Sequence, residues 1–235
     1  MKNLERPFVK DMFDAIAPSY DFLNRFLSLR QDVYWRRTMV SVMDLPQQAG
    51  VLDVACGTGD VSLEILKQHA PGVTVCGIDF SPEMLKRGHR KIRHRKADRS
   101  IHLVAGNALE LPVASESMDA VTIAFGIRNI VDRRSALEAF HGALKKGGML
   151  LVLELTVPET RPLRTLYLAY FQKILPFVGG FFSRHQKAYQ YLPQSVLNFP
   201  ASAEFAAMMR SAGFAGVKWK PMTFGVVTLF AGYKS

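Results

Sequence analysis

Two carboxylates and a run of small residues carry the first chemical signal. Residues 51–60 read VLDVACGTGD. Val51 to Val54 has the apolar character of a buried strand, and Ala55, Gly57, Thr58 and Gly59 make a turn of small residues behind it. Val61, Leu63, Ile65 and Leu66 then predict a helix that packs back on a sheet. Glycines in such a turn adopt backbone angles closed to other residues and let a ligand approach the main chain. The next apolar run, VTVCGI, ends at Asp79, twenty residues after Gly59. An acidic residue at that distance is placed to accept hydrogen bonds from both hydroxyls of a ribose. Strand, turn, helix and a second strand ending in an acid together predict a nucleoside-binding α/β unit.

The loop's own charge narrows the nucleoside. A dinucleotide site wants G-x-G-x-x-G with pyrophosphate at the helix start. Here the order is Asp53-x-Ala55-x-Gly57-x-Gly59, and Asp60 follows at once. A carboxylate at the helix entrance repels pyrophosphate and suits a ligand that is cationic and lacks phosphate. S-adenosylmethionine, with a sulfonium and an ammonium, is such a ligand. The spacing resembles the first motif of class I S-adenosylmethionine-dependent methyltransferases, with Ala55 at the first glycine. A dehydrogenase, or a tight turn that binds nothing, remains the alternative reading of this stretch.

Apolar runs and turn residues lay out the elements that hold the loop. Residues 8–45 read as helices ahead of the sheet, a helical cap over 1–45 in which Val9, Met12, Phe13 and Ile16 share one face. Strands are expected at 51–55, 73–78, 101–105, 118–125 and 149–155, with helices between them. Ser81-Pro82-Glu83 is a helix start, a capping residue followed by proline in the first turn. Lys145-Lys146-Gly147-Gly148 is expected to close the helix before the fifth strand. Residues 158–200 break the alternation and read as a helical insertion or lid. A helix at 203–212 and a strand pair, 217–219 and 226–233, finish the chain. The expectation is one methyltransferase domain over 1–235: a Rossmann-like α/β fold with a mainly parallel seven-stranded sheet, a C-terminal antiparallel hairpin and an N-terminal helical cap.

Composition sets outer bounds. The 235 residues suffice for one sizeable core. A net charge of +10 favours an anionic partner, whether nucleic acid, acidic substrate or membrane surface. The densest basic tract, KRGHRKIRHRKADR at 86–99, has no interleaved aromatic residue to stack on bases, and it reads first as the solvated face of a helix. Two cysteines, Cys56 and Cys76, imply no disulfide framework and fit a reducing cytoplasm. The N-terminus lacks the apolar stretch of a signal peptide. The apolar segment around 163–182 is interrupted by Arg164, Lys173 and Pro176 and makes a poor membrane span. No close cysteine, histidine and carboxylate spacing suggests a metal.

With these stretches in view, the chain resembles the ubiquinone/menaquinone biosynthesis C-methyltransferase family over nearly its whole length. MFDAIAPSYDFLNRFLSLRQDVYWRR, VLDVACGTGD, GIDFSPEMLKRG, GNALELP, FGIRN, LKKGGMLLVLE and AYQYLPQSVLNFP carry the resemblance. It implies methyl transfer from S-adenosylmethionine to a ring carbon of a prenylated quinol, either demethylmenaquinol or the benzoquinol precursor of ubiquinone. It places Thr58, Asp79, Asn107 and Ala108 on cofactor positions, with Asp53, Gly57 and Gly59 shaping the loop. The chain departs from the pattern at Leu23, Asp32, Ala124 and Lys146, none of which removes the cofactor motif. Where some members carry a cofactor-contacting serine, Ala124 makes no such contact.

Three residues are assigned to catalysis on this basis. Arg128, just after the fourth strand, is expected to stabilise a quinolate oxygen or orient a water, since guanidinium stays protonated and is a poor base. Asn129 is expected to position that water or the hydroxyl, and Tyr20 to hydrogen-bond substrate or cofactor from the cap. His141 and His185 are the conceivable bases. A prenyl tail in the bilayer would unite the apolar 163–182 region with the basic surface in peripheral attachment to the inner face of an anionic membrane. Self-association as a homodimer is left open by the sequence. The rivals are a methyltransferase acting on another small aromatic or lipid substrate, a non-catalytic quinone-binding subunit, which the intact Asp53, Gly57, Gly59 and Asp79 oppose, and a nucleic-acid methyltransferase, which would carry an Asn/Asp-Pro-Pro-aromatic motif where this chain has FGIRN.

Overall fold

A computed structural model describes residues 5–170 and 186–235. Three helices precede the sheet, α1 (Glu5–Ile16), α2 (Tyr20–Leu27) and α3 (Gln31–Ser41). Strands and helices then alternate: β1 (Ala49–Val54), α4 (Asp60–His69), β2 (Val73–Asp79), α5 (Pro82–His94), β3 (Ile101–Ala105), β4 (Met118–Ala124), a 3-10 turn at Ile127–Asn129, α6 (Arg133–Ala143) and β5 (Leu144–Leu155). The chain continues through α7 (Arg161–Ala169), α8 (Gln186–Leu197), α9 (Ser202–Ser211), β6 (Phe214–Met222) and β7 (Val227–Lys234).

The seven strands lie in the order β3-β2-β1-β4-β5-β7-β6. Five are parallel, and β7 runs antiparallel to both β5 and β6. The expected sheet and closing hairpin are therefore present. Because chain order reverses beside β1, the C-terminal ends of β1, β2 and β4 meet at the point where α/β sheets take their ligands. Inward residues of β1 serve both faces. Val51 packs with Trp35, Met39, Ile65 and Ile92 on one side, and Leu52 and Val54 pack with Phe140, Phe205 and Phe230 on the other. A sheet covered on both faces has continuous apolar strands, which is why β4 reads AVTIA.

Local signals explain the helix starts. Ser81 Oγ accepts from Met84 N at 3.2 Å with Pro82 in the first turn, as expected. Asp132 caps α6 by accepting from Ser135 N at 3.1 Å. One boundary is corrected. The LKKGG stretch does not close α6, which ends at Ala143; it opens β5, where Leu144 pairs with Met118 and the register shifts before Met149 meets Ala120. Gly147 takes φ +79 inside that irregularity, so its left-handed angle serves a bulge rather than a helix cap. The first hairpin strand, β6, is also longer than its apolar run suggested, because it carries exposed polar residues on an edge.

Outside the sheet, α2, α7 and α8 meet through Leu23, Tyr167 and Val196 and form a layer over the ligand side. The expected insertion at 158–200 is helical in its described parts. His185 and residues 171–182 of the apolar segment lie outside the described residues.

Candidate active site

Past Val54 the loop alternates left-handed angles, Ala55 at φ +52, Gly57 at +54 and Gly59 at +80. Left-handed backbone is open to glycine but costs a residue with a Cβ about 1–2 kcal/mol, so Ala55 holds its angle against strain. Cys56 N donates to Ile78 O at 2.9 Å and ties the loop to β2. Beneath it Asp53 is buried, accepting from Ser62 Oγ at 2.6 Å and Thr122 Oγ1 at 2.9 Å. Asp79 accepts from Gly57 N at 2.8 Å and Ser81 N at 2.9 Å. Burial pushes both carboxyls up to about 6, against the pull of those donors.

The small cavity of about 40 Å³ at this loop is bounded by Tyr20, Arg36, Asp53, Gly57, Thr58, Asp60 and Phe125, among others. Its charged wall corrects the simplest view of Asp60. That carboxylate does not stand alone at the helix entrance: Lys91 Nζ lies 2.7 Å away, Arg36 3.3 Å and Arg25 3.6 Å. These cations hold Asp60 below the usual carboxylate range although burial acts the other way. Thr58 Oγ1 donates to Asp21 at 2.6 Å and accepts from Lys91 at 2.8 Å, and Lys91 also meets Asp21 at 2.5 Å. Asp32 pairs with Arg36 in the same network. The helical cap is thus bonded directly to the loop, and Ser81 Oγ adds a donor to Asp14 of α1.

A far larger cavity, about 720 Å³, opens beside it between α1, α2, α3, α7 and α8. Its lining is mostly apolar, with Leu23, Leu27, Leu155, Leu163, Leu192 and Val226 among the walls. Tyr20, Arg36 and Phe125 line both cavities and mark where they touch. Phe125 sits at φ +58, an angle a bulky residue rarely adopts, held by its N–H to Leu153 O at 2.7 Å and by Trp35 at 6.0 Å between rings. Trp35 is anchored in turn, donating to Thr223 Oγ1 at 2.7 Å. The polar end of the cavity holds Arg128, with Tyr20, Tyr167 and Tyr191 also in the wall. The Arg128 guanidinium donates to Glu154 Oε1 at 2.7 Å and to Phe125 O at 2.5 Å. Burial raises the Tyr20 hydroxyl's pKa against a hydrogen bond with Asn24 and the nearby cations Arg128 and Arg36.

The structure therefore brings Asp53, Gly57, Thr58 and Tyr20 to the small cavity and Tyr20 and Arg128 to the large one. Asp79 and Gly59 frame the loop from behind. Asn107 and Ala108 follow Ala105, whose register partner is Asp79, so they lie beside the loop past the end of β3. Asn107 Oδ1 accepts from Leu109 N at 3.1 Å and shapes a turn. Asn129 lines neither cavity; its N–H closes the 3-10 turn on Gly126 O at 3.1 Å. His141 packs edge-on against Phe214, away from both cavities. Sequence reasoning missed Asp21, Arg36, Lys91, Phe125 and Glu154. Asp21, Arg36, Phe125 and Glu154 lie in the stretches that carry the family resemblance but with no role assigned to them, and Lys91 appears only within the basic tract, one turn from Gly88 on the buried side of α5.

Solved structures fix the fold. The chain aligns with a structure from Thermotoga maritima, described as a SAM-dependent methyltransferase and possible histamine N-methyltransferase, with a TM-score of 0.67 and 20% identity over 96% of this chain and 99% of that one. The fold is that of the class I methyltransferases. Sequence comparison reaches the family: the profile of the ubiE/COQ5 methyltransferase family matches residues 1–234, and the chain belongs to that family. It is 46% identical to the ubiquinone/menaquinone biosynthesis C-methyltransferase UbiE of Geobacter sp. strain M21, over 96% of both chains. It is 44% identical to the demethylmenaquinone methyltransferase of Thermus thermophilus, over 94% of this chain and 99% of the relative. The enzyme is a methyltransferase that uses S-adenosylmethionine.

The loop fits that cofactor. A Cβ built on Gly57 meets no atom within 4 Å, so the chain leaves open space there. The buried Asp79 carboxylate has lone pairs left that would suit a ribose diol, and the buried Asp53 carboxylate would suit a cationic group.

Proposed function

We propose that this enzyme methylates a ring carbon of a prenylated quinol, demethylmenaquinol or the benzoquinol precursor of ubiquinone. The observation that supports this most is the contact between the two cavities at Tyr20, Arg36 and Phe125. An apolar chamber with one polar end, opening on the cofactor loop, matches an aromatic head with an apolar tail. The family names of the relatives point the same way.

Asp53, Gly57, Thr58, Gly59 and Asp79, with Asn107 and Ala108 beside them, hold the cofactor, which when bound supplies an electrophilic methyl on its sulfonium. The chain's own residues prepare the other reactant. A ring hydroxyl becomes a strong enough donor to its neighbouring carbon when its proton leaves to water, which a phenol resists with a pKa near 10; once the carbon has taken the methyl it sheds its own hydrogen as a proton and the ring regains its aromaticity. Arg128 lowers that cost by facing the oxygen with fixed positive charge, and Tyr20 offers a hydroxyl at the junction. The apolar walls exclude water and orient the ring, which supplies a further share of the rate. Asn129 acts by holding the turn that presents Arg128.

The cavity is of a size that takes a drug-sized ligand, so a long tail must leave it. Leu29, Leu166 and Phe224 line the cavity yet are 83%, 68% and 81% exposed. Exposed Arg25, Arg30, Arg161 and Arg164 neighbour them in sequence. No helix among the described residues is long and apolar enough to cross a membrane. The tail leaves across this rim, and the protein attaches from the cytoplasmic side to an anionic bilayer without spanning it. Turnover on demethylmenaquinol and a benzoquinol analogue tests the substrate. Methylation of neither, with S-adenosylhomocysteine bound, would discard the quinol. Failure to sediment with anionic liposomes at low salt would discard the attachment.

A further inference from the structure

Glu154 is a carboxylate without solvent, 0% exposed in the apolar run LLVLEL of β5. A buried charge is retained only where partners compensate it. Two of its three contacts go to one residue. Oε1 accepts from Arg128 Nη1 at 2.7 Å and Oε2 from the Arg128 backbone N–H at 3.1 Å; Leu155 N gives the third at 2.8 Å. The two oxygens therefore grip Arg128 by its main chain and its guanidinium at once. Phe125 O takes Nη1 as well, so that nitrogen is spent inward. Arg128 Nε is left buried with no hydrogen-bond partner among the described residues, on a side chain that lines the large cavity. A buried donor left open beside a cavity calls for an acceptor from a ligand.

We propose that Glu154 is a positioning residue for the methyl transfer. It fixes the Arg128 guanidinium so that its unspent N–H edge meets the oxygen of the bound ring, while the paired charges let an apolar chamber hold a cation before that oxygen becomes anionic. Glu154 itself lines neither cavity and touches no substrate. The inference rests on the proposed quinol reading for its substrate, but the clamp on Arg128 is a property of the protein alone.

The test is Glu154→Gln, which keeps the shape but sets an amide donor against one of Arg128's donors. Rates are counted per site that binds S-adenosylhomocysteine, so that any misfolded fraction drops out. Expected are cofactor-product affinity within twofold of wild type, kcat on the quinol at least tenfold lower and KM changed far less. Combined with Arg128→Lys, Glu154→Gln should cost little more than Arg128→Lys alone, since its effect runs through the guanidinium. Glu154→Asp, which keeps the charge but not the reach, should also lower kcat and serves if the Gln variant fails to fold. A kcat per binding site within twofold of wild type in either folded variant would overturn the proposal, leaving Glu154 a structural ion-pair partner. A second readout needs no turnover: with 15N-labelled arginine, the Arg128 Nε–H should exchange slowly in wild type and faster in the variant. Equal exchange in both would sink the clamp, whereas an idle wild-type enzyme with protected Arg128 would sink only the quinol.

Discussion

Replacing Gly126 by alanine should disturb the cofactor loop from across the sheet, and the geometry sets both size and remedy. A Cβ at position 126 would lie 2.7 Å from the Ala55 Cβ and 3.2 Å and 3.3 Å from Ile123 Cγ1 and Cδ1. The Ile123 side chain can yield by tenths of an ångström. Ala55 cannot, because its Cβ is carried on backbone already at φ +52. Overpacking of this kind costs about 1–3 kcal/mol. For a chain of this length that is a fall in Tm of about 2–12 °C. Ala55→Gly removes the opposing methyl and the left-handed strain together, and should be within about 1 kcal/mol of neutral once the freer unfolded chain is counted. The double variant should recover at least half of the Gly126→Ala loss, a coupling of about 1 kcal/mol or more. Denaturant unfolding gives the stabilities, and calorimetric titration with S-adenosylhomocysteine should show weakened binding in Gly126→Ala restored in the pair. Strictly additive effects would refute the claimed contact and with it the account of why glycine follows Phe125.

Three other expectations concern the same region. Asp79, raised to about 6 by burial with a further upward push from Asp14, must be ionised to accept a ribose diol; S-adenosylhomocysteine should bind more weakly as pH falls through about 6, and Asp79→Asn should flatten and weaken that profile in calorimetry from pH 5 to 8. The same raised pKa means its contribution to folding is most favourable below about pH 4 and is lost as pH rises through 6 in the ligand-free protein. Lys91→Met strands Asp21 and Asp60 with less positive charge and should cost about 1–3 kcal/mol in urea unfolding, an effect that an unchanged midpoint would contradict. Leu192→Trp fills the large cavity and should raise KM for a quinol at least tenfold while leaving S-adenosylhomocysteine affinity untouched; equal KM would mean the ring binds elsewhere.

The parts legible in the sequence were those encoded locally. The loop announced itself because left-handed turns demand small residues, and Asp79 because strand length fixes its distance from Gly59. The start of α5 was readable from Ser81 and Pro82, which act on their own helix. The parts that stayed hidden depend on contacts across the chain. Asp21 and Thr58 are 37 positions apart and Arg128 and Glu154 are 26, and nothing in either stretch says they meet. Phe125 was hidden differently: its apolar type fitted the end of a strand, and only the fold reveals the angle at which it is held. LKKGG misled because two glycines suit a helix cap and a strand bulge equally well.

The double duty of α2 has a kinetic consequence. One side of the helix, Tyr20, Leu23 and Leu27, walls the large cavity, while Asp21 clasps Thr58 at the loop. The space at the loop is about 40 Å³, and Tyr20 of α2 is part of its wall. If α2 yields to admit a nucleoside there, the Asp21–Thr58 hydrogen bond opens and the chamber wall carried on the same helix shifts with it. That coupling predicts sequential binding, with the methyl donor entering first, the acceptor second, and the demethylated donor leaving last. Product inhibition should carry that signature, with S-adenosylhomocysteine competing with the donor and acting noncompetitively toward the acceptor.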